Sequence, residues 1–243
     1  MNLNNYVSIM DIEFINTTKN NFLDQEIYPR LNQQEKCFIV TANPEILMKA
    51  REDAVYKQTI QSADFVIPDG IGVIMASKYM NTPLQERIPG TEVMMDLLAY
   101  ANEHRLSCYF LGAKDFVNEK VVLEVEKQFP NIEIAGNQHG YTDVDDPTFV
   151  EKVVKSNPDL IFVALGLPRQ EQWVEKHIDQ FNKGIFMGVG GSFDVLAGEV
   201  KRAPKAWIKL NLEWLYRLVK QPLRLKRVFK IFEFMARVIL KRI

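Results

Sequence analysis

Short, mainly apolar runs of β-type residues alternate along the chain with segments whose apolar residues recur at helical spacing. The apolar runs lie at 37–41, 65–67, 108–111, 132–135, 160–165 and 184–189, and the helical segments at 44–57, 91–104, 116–129, 147–156 and 169–180. Strands buried on both faces are continuously apolar, and their alternation with helices is typical of a mainly parallel sheet. The pattern therefore predicts an α/β, Rossmann-like core over residues 1–200.

Four residues are candidates for capping the predicted helices. Asn43 and Asp146 each precede a proline, which pairs a capping side chain with a residue suited to the first helical position. Thr91 and Asp115 precede two further helical segments. All four are predicted to be helix N-caps.

Residues 201–243 differ from the core in charge, with 13 Lys and Arg against Glu213 and Glu233, whereas residues 1–200 hold 17 basic and 29 acidic residues. The pattern in this segment predicts two helices with a break at Gln221-Pro222. On the second helix one face is apolar, with Val228, Phe229, Phe232, Met235, Ala236 and Ile239, and another is cationic, with Lys226, Lys230, Arg237 and Lys241. This predicts an amphipathic appendage that docks on an anionic membrane. The alternative is a helix packed on the core with a solvated basic face.

Several classes of protein are disfavoured by the rest of the sequence. The longest apolar runs are too short to span a bilayer, and the first residues lack the pattern of a signal peptide. Cys37 and Cys108 suggest neither a disulfide framework nor a metal site. Nucleic acid is disfavoured because the core is acidic and the basic residues alternate with an apolar stripe. We expect a cytoplasmic protein attached peripherally to the inner face of the membrane, with self-association through the apolar stripe when off the membrane.

Candidate chemistry lies in the loops that follow the strands, because ligands bind at the carboxyl edge of an open parallel sheet. Asp69 follows the second strand on a turn flanked by Pro68 and Gly70, where it is either a catalytic base or a residue that shapes the turn. Gly190 and Gly191 precede a helix, where bare backbone can approach a phosphate or a sugar, or simply make a tight turn. Neither a dinucleotide-binding fingerprint nor a P-loop is present, which disfavours nicotinamide chemistry and nucleotide hydrolysis.

Two polar groups in other loops and three arginines near the Pro222 break are further candidates. Gln170 can hydrogen-bond a base or a sugar, or cap a helix, and Arg87 can pair with a phosphate or with an acid of the core. The arginines, whose fork suits bidentate phosphate binding or contact with lipid head groups, are Arg217, Arg224 and Arg227.

An ordered set of motifs resembles the WecG/TagA/CpsF glycosyltransferases, and within them the TagA/TarA branch of wall teichoic acid synthesis. The motifs run from about Val7 to Arg227 and comprise Thr41-Ala42-Asn43-Pro44, Pro68-Asp69-Gly70, Arg87-Ile88-Pro89-Gly90, Gly166-Leu167-Pro168-Arg169-Gln170-Glu171, Gly188-Val189-Gly190-Gly191-Ser192-Phe193-Asp194, Arg202-Ala203-Pro204 and Glu213-Trp214-Leu215-Tyr216-Arg217. Each motif alone is weak, but the ordered set is specific.

The resemblance implies a reaction: inverting transfer of N-acetylmannosamine from its UDP donor to N-acetylglucosamine carried on a lipid diphosphate, with no metal and no cofactor. It implies that Asp69 is the base and that Arg217, Arg224 and Arg227 fold over the site to meet the diphosphate. The residues implied to line the pocket are Thr41, Asn43, Arg87 and Gln170. The alternatives are another UDP-sugar donor serving another surface polysaccharide, and a non-catalytic nucleotide-binding module.

Overall fold

A computed structural model describes residues 5–201, 204, 207, 215–216, 218 and 225–240, and of residues 225–228 it describes the backbone alone. The strands are β1 (Tyr6–Ile9), β2 (Ile12–Ile15), β3 (Lys36–Ala42), β4 (Phe65–Pro68), β5 (Ser107–Gly112), β6 (Glu133–Gln138), β7 (Leu160–Ala164) and β8 (Gly184–Gly188). The described α-helices are α1 (Lys19–Phe22), α2 (Tyr28–Gln33), α3 (Pro44–Glu52), α4 (Ala54–Gln61), α5 (Ile71–Tyr79), α6 (Gly90–His104), α7 (Asp115–Gln128), α8 (Pro147–Lys155), α9 (Arg169–His177), α10 (Ser192–Leu196) and α11 (Leu225–Ile239). A π-helical segment (Leu23–Ile27) joins α1 to α2, and a 3-10 turn (Ile178–Gln180) follows α9.

Six strands form one parallel sheet in the order β4-β3-β8-β7-β5-β6. Successive residues of β3 enter different apolar clusters: Phe38 and Val40 join one, and Cys37 and Ile39 join the other. Because side chains alternate across a strand, both faces of the sheet are covered. This explains the continuous apolar runs and confirms the predicted α/β fold.

A two-stranded antiparallel hairpin precedes the sheet and was not predicted. β1 and β2 pair from Tyr6 opposite Ile15 to Ile9 opposite Ile12. The turn residues Met10 and Asp11 both have positive φ, which is the backbone of the tightest hairpin turns. Neither turn residue is a glycine or an asparagine, the residues that most strongly mark such a turn.

The predicted helical segments and caps are confirmed in part. The segment 44–57 is two helices that meet at Asp53, whose extended backbone and side-chain bond to the Tyr56 N–H start α4. Asn43 and Asp146 cap α3 and α8 as predicted. The predictions for Thr91 and Asp115 are wrong, because both residues lie inside helices that start without a side-chain cap.

The C-terminal helix α11 packs against α3 and α5 through the side of the helix that carries Phe234 and Val238, which are buried. The apolar stripe predicted from the sequence lies on the other side, where Phe229, Phe232 and Ile239 are exposed. The helix therefore packs on the core, as in the alternative interpretation, and still presents an apolar face, while docking on a membrane stays a prediction. The division into units 1–200 and 201–243 stays a prediction.

Candidate active site

The loops that carry the predicted site residues leave the same edge of the sheet. Strands β3, β4, β7 and β8 are parallel, so their carboxyl ends lie together. Strands β3 and β8 are neighbours, and β3 pairs with β4 on its other side. Such an edge is where open α/β sheets bind ligands.

Thr41 joins two of these loops. Its hydroxyl donates to the carbonyl oxygen of Gly188 at 3.1 Å, which ties the end of β3 to the end of β8. Its methyl group also packs on the start of α6, where a Cβ added at Gly90 would lie 2.8 Å from it. Thr41 thus lies at the predicted pocket, but its buried hydroxyl proton is used to hold the loops.

Asn43 lies beside the turn that carries Asp69. Its Oδ1 accepts from the N–H groups of Glu45 and Ile46, at 2.9 and 3.2 Å, which leaves the Nδ2 group as the part of the side chain that can donate elsewhere. A Cβ added at Gly70 would lie 2.7 Å from Pro44 Cδ and 3.2 Å from Asn43 Cβ. Glycine at position 70 therefore allows the Asp69 turn to approach this cap closely.

The backbone of Asp69 is held from two directions. Its N–H donates to the Ala42 carbonyl at 3.0 Å, and its carbonyl accepts from Arg87 Nε at 2.8 Å. The residue after Arg87 adds a further bond, from the Ile88 N–H to the Pro68 carbonyl at 2.8 Å. The Asp69 side chain is half-buried, and the N-cap residue of α5 is Gly70 rather than Asp69. A carboxylate on a fixed turn at an accessible edge has the placement that a general base needs.

Gln170 and Glu171 open α9 and are both buried. Glu171 accepts two hydrogen bonds, from Gln170 Nε2 at 2.7 Å and from the Tyr56 hydroxyl at 3.1 Å. Burial raises the pKa of the Glu171 carboxyl to about 7, against which its two hydrogen-bond donors lower it. The sequence suggested that Gln170 contacts a ligand or caps the helix, and the structure places it inside α9, whose N-cap residue is Pro168.

The glycine-rich loop after β8 lies against the Gln170 amide. A Cβ added at Gly188 would lie 2.7 Å from Gln170 Nε2, and one at Gly190 would lie 3.7 Å from Gln170 Oε1. Gly190 has a φ of +46°. The neighbouring N–H groups of Val189 and Ser192 donate within the protein. The two glycines between them form the part of the loop whose backbone a ligand can approach.

One family model matches nearly the whole chain. The model described as "Glycosyl transferase WecG/TagA/CpsF family" matches residues 7–243. The chain belongs to this family. Proteins of Bacillus spizizenii, Bacillus subtilis and Staphylococcus aureus are 40%, 41% and 39% identical to it, over 95%, 96% and 96% of this chain and 90%, 90% and 91% of theirs. Each of the three is named N-acetylglucosaminyldiphosphoundecaprenol N-acetyl-beta-D-mannosaminyltransferase.

In this WecG/TagA/CpsF family member, Arg217 and Arg224 lie outside the described residues, as does the side chain of Arg227. Their predicted approach to Asp69 therefore stays a prediction. The described part of α11 does come near the Asp69 loop, because a Cβ added at Gly72 would lie 3.9 Å from Ile231 Cγ2. Gly72 belongs to the first turn of α5, three residues after Asp69.

Sequence reasoning missed Tyr56 as a member of this edge. The tyrosine is fully buried on α4 and reaches Glu171 across 115 positions of the chain. A sequence signal for Glu171 existed in its spacing, since it precedes the buried Val174 by three residues and so shares the inward face of α9. A glutamate at a core-facing helical position requires a partner.

The acidic cluster 143–146, the nearest approach in the sequence to a paired-acid metal motif, is engaged within the protein. Asp146 caps α8, and Asp145 pairs with Lys176 and His177 at 2.9 Å. Across the residues that the structure describes, no group of three or more His, Cys, Asp or Glu side chains is arranged to hold a metal ion.

Proposed function

We propose that this chain transfers N-acetylmannosamine from UDP-N-acetylmannosamine to N-acetylglucosamine linked to undecaprenyl diphosphate, in the synthesis of the wall teichoic acid linkage unit. The observation that carries the proposal is the likeness to three relatives of that name, at about 40% identity over 95% or more of this chain. The fixed, accessible turn of Asp69 supports it, because acceptor activation needs a base at such a place.

The reaction we propose is a single displacement with inversion. Asp69 takes the proton from an acceptor hydroxyl, whose oxygen forms the new bond to the anomeric carbon of the donor sugar. The bond from that carbon to the diphosphate oxygen breaks, and UDP leaves with the electron pair. Arg87, whose Nε–H holds the Asp69 backbone, fixes the base in position.

The departing diphosphate needs positive charge, and we propose that the C-terminal arginines Arg217, Arg224 and Arg227 supply it in place of a metal ion. The position of Ile231 near the first turn of α5 supports this, since Arg227 precedes Ile231 by one helical turn in the sequence. Guanidinium groups match diphosphate oxygens in geometry and stay charged at all relevant pH values. Turnover should then be unaffected by a metal chelator and lost in Arg224→Ala.

The direct test of the base is Asp69→Asn, assayed with UDP-N-acetylmannosamine and the lipid-diphosphate-linked acceptor. Loss of a general base should lower turnover by about 10²–10⁴-fold. The matched control is Asp179→Asn, since Asp179 is an exposed carboxylate at the other end of β3, beside Lys36. Equal activity of Asp69→Asn and wild type would refute the assignment. A panel of UDP-sugars separates this donor from others, and nucleotide binding without any product would favour the binding-module alternative.

We propose that the exposed apolar face of α11 places the active site at an anionic membrane surface. Phe229, Phe232, Ile239 and Leu240 are more than half exposed. Beside them, the hydroxyl of the exposed Tyr79 of α5 donates to the Ile239 carbonyl oxygen. In the described part of the chain, no helix has both the length and the apolar character needed to cross a membrane. Apolar side chains presented together on one face suit insertion at a lipid interface.

The cationic side of α11 is partly neutralised within the protein. Lys230 pairs with Glu52, and Arg237 pairs with Glu233 at 2.8 Å. We therefore expect the aromatic residues to contribute more to membrane binding than these two cations. Phe229→Asp combined with Phe232→Asp should abolish co-sedimentation with anionic vesicles, whereas Lys230→Gln should retain most of it. If the wild-type protein self-associates and does not co-sediment with vesicles, the apolar face is a contact between copies of the chain instead.

A further inference from the structure

The two polar atoms of the Gln170 amide differ in their hydrogen bonding. Its Nε2 group donates to Glu171 Oε1 at 2.7 Å. Its Oε1 is buried and has no hydrogen-bond partner within the described part of the chain. That oxygen lies beside Gly190, at the carboxyl edge of the sheet. A buried acceptor without a donor is unfavourable by about 1–3 kcal/mol, so it is a place where a ligand's donor is bound favourably.

An ionised Glu171 dictates which end of the amide faces the glycine loop. A carboxylate only accepts hydrogen bonds, so the group of Gln170 that faces it must be the NH₂ group. The second carboxylate oxygen is occupied by the Tyr56 hydroxyl. Burial keeps the pKa of Tyr56 well above its usual value, which keeps this hydroxyl protonated and able to donate.

Burial and hydrogen bonds from within the protein set the charge of Glu171. From α4, the facing titratable group is Tyr56, whose pKa is raised further by Glu45 and Asp53. Strands β3 and β8 contribute apolar side chains to the same cluster, namely Phe38, Val40, Ala42 and Phe186. Gly188 of β8 faces the carboxylate with no side chain, since an added Cβ would lie 3.3 Å from Glu171 Oε1.

We infer that Glu171 and Tyr56 are positioning residues that fix the Gln170 amide with its oxygen toward the sugar site, where it accepts a hydrogen bond from a sugar O–H or acetamido N–H. This inference rests on the proposed function for the presence of a sugar at this edge. Glu171 and Tyr56 act through Gln170 and touch no substrate themselves. The fully buried pair is thereby given a role in orientation, in addition to its role in packing.

The first test is a double-mutant cycle on turnover. Glu171→Gln replaces the carboxylate by an amide that can face Gln170 with either end, so it permits both orientations of Gln170 and should lower kcat by about three- to tenfold. Gln170→Leu removes the amide altogether and should lower kcat more. Because Glu171 acts through Gln170, the double variant should be no slower than Gln170→Leu alone. Losses that multiply in the double variant would overturn the inference.

The second test is the pH profile of kcat. Activity should fall on the acid side as Glu171 is protonated, and Glu171→Gln should lack this acid limb. Tyr56→Phe removes a hydrogen bond that lowers the Glu171 pKa, so its acid limb should move to higher pH. A limb that stays in place in Tyr56→Phe would contradict the inference.

The matched control is Val174→Ala, which removes buried apolar atoms from the same helix. It removes no hydrogen bond to Gln170 or Glu171. It should lower stability and leave the acid limb where wild type has it. The outcomes distinguish failure of the proposed function from failure of the inference about Gln170. A wild-type protein that forms no glycosidic product refutes the proposed function, whereas an active wild type with multiplying losses or an unmoved limb refutes this inference alone.

Discussion

Replacing Glu171 by glutamine should make the protein more stable at alkaline pH and less active. The pKa of this carboxyl is about 7 in the folded protein, against an ordinary value of 4.5. Its pKa is raised by folding, so the folded state binds more protons than the unfolded chain between these two values. The free energy of unfolding therefore falls as the pH rises from 4.5 to 7 and stays lower above it.

The size of the effect follows from the pKa difference. At about 1.4 kcal/mol for each pKa unit, keeping Glu171 ionised above pH 7 costs about 3 kcal/mol of stability. Glu171→Gln removes this titration. Its free energy of unfolding, relative to wild type, should rise by most of that amount between pH 5 and pH 8.

The assay is chemical denaturation at several pH values between 5 and 8, with the slope of the transition checked for constancy. The control is Glu175→Gln, which removes an exposed carboxylate from the same helix and relieves no burial cost. A stability difference between Glu171→Gln and wild type that is the same at pH 5 and pH 8 would refute the reasoning. It would mean that Glu171 does not change its charge state in this range.

Three further predictions concern contacts at the sheet edge and at α11. Gly188→Ala places a Cβ 2.7 Å from Gln170 Nε2, so kcat should fall at least tenfold with a circular dichroism spectrum like that of wild type; unchanged kcat would show that the amide is free to move. Thr41→Val removes the bond to the Gly188 carbonyl, so denaturation should show a loss of about 0.5–1.5 kcal/mol, and a neutral result would contradict the tie between β3 and β8. Phe234→Ala opens a cavity under α11, so limited proteolysis should cut the C-terminal segment faster than in wild type, whereas the exposed Phe232→Ala should leave the rate unchanged.

The core of the fold was predictable because its signals are local. Strands such as β7 are buried on both faces and so appear as apolar runs, and the caps at Asn43 and Asp146 combine a short polar side chain with a following proline. The β1–β2 hairpin was missed because its strands are four residues long and its turn residues, Met10 and Asp11, are not those that favour positive φ most. The break at Asp53 was missed because the apolar periodicity continues across it.

Some features of the candidate site could likewise be predicted from the sequence, and others could not. Asp69, Asn43 and the glycine loop could be placed at one edge from the predicted parallel sheet alone, because loops that follow parallel strands meet there. The link from Tyr56 to Glu171 could not, since it joins residues far apart in the chain through a contact that depends on how α4 packs on α9. The hydrogen bond from the Thr41 hydroxyl to the Gly188 carbonyl was likewise not predictable, because it depends on β3 and β8 being neighbours in the sheet.

The measurement that tests the central claim most directly is the stereochemistry of the product. Wild-type protein should be incubated with UDP-N-acetylmannosamine and N-acetylglucosamine on an undecaprenyl-type diphosphate, and the new linkage examined by NMR. A base at position 69 acting in one displacement predicts a β-linked N-acetylmannosamine from the α-linked donor. An α-linked product, or no product from this pair under conditions in which both substrates bind, would contradict the account.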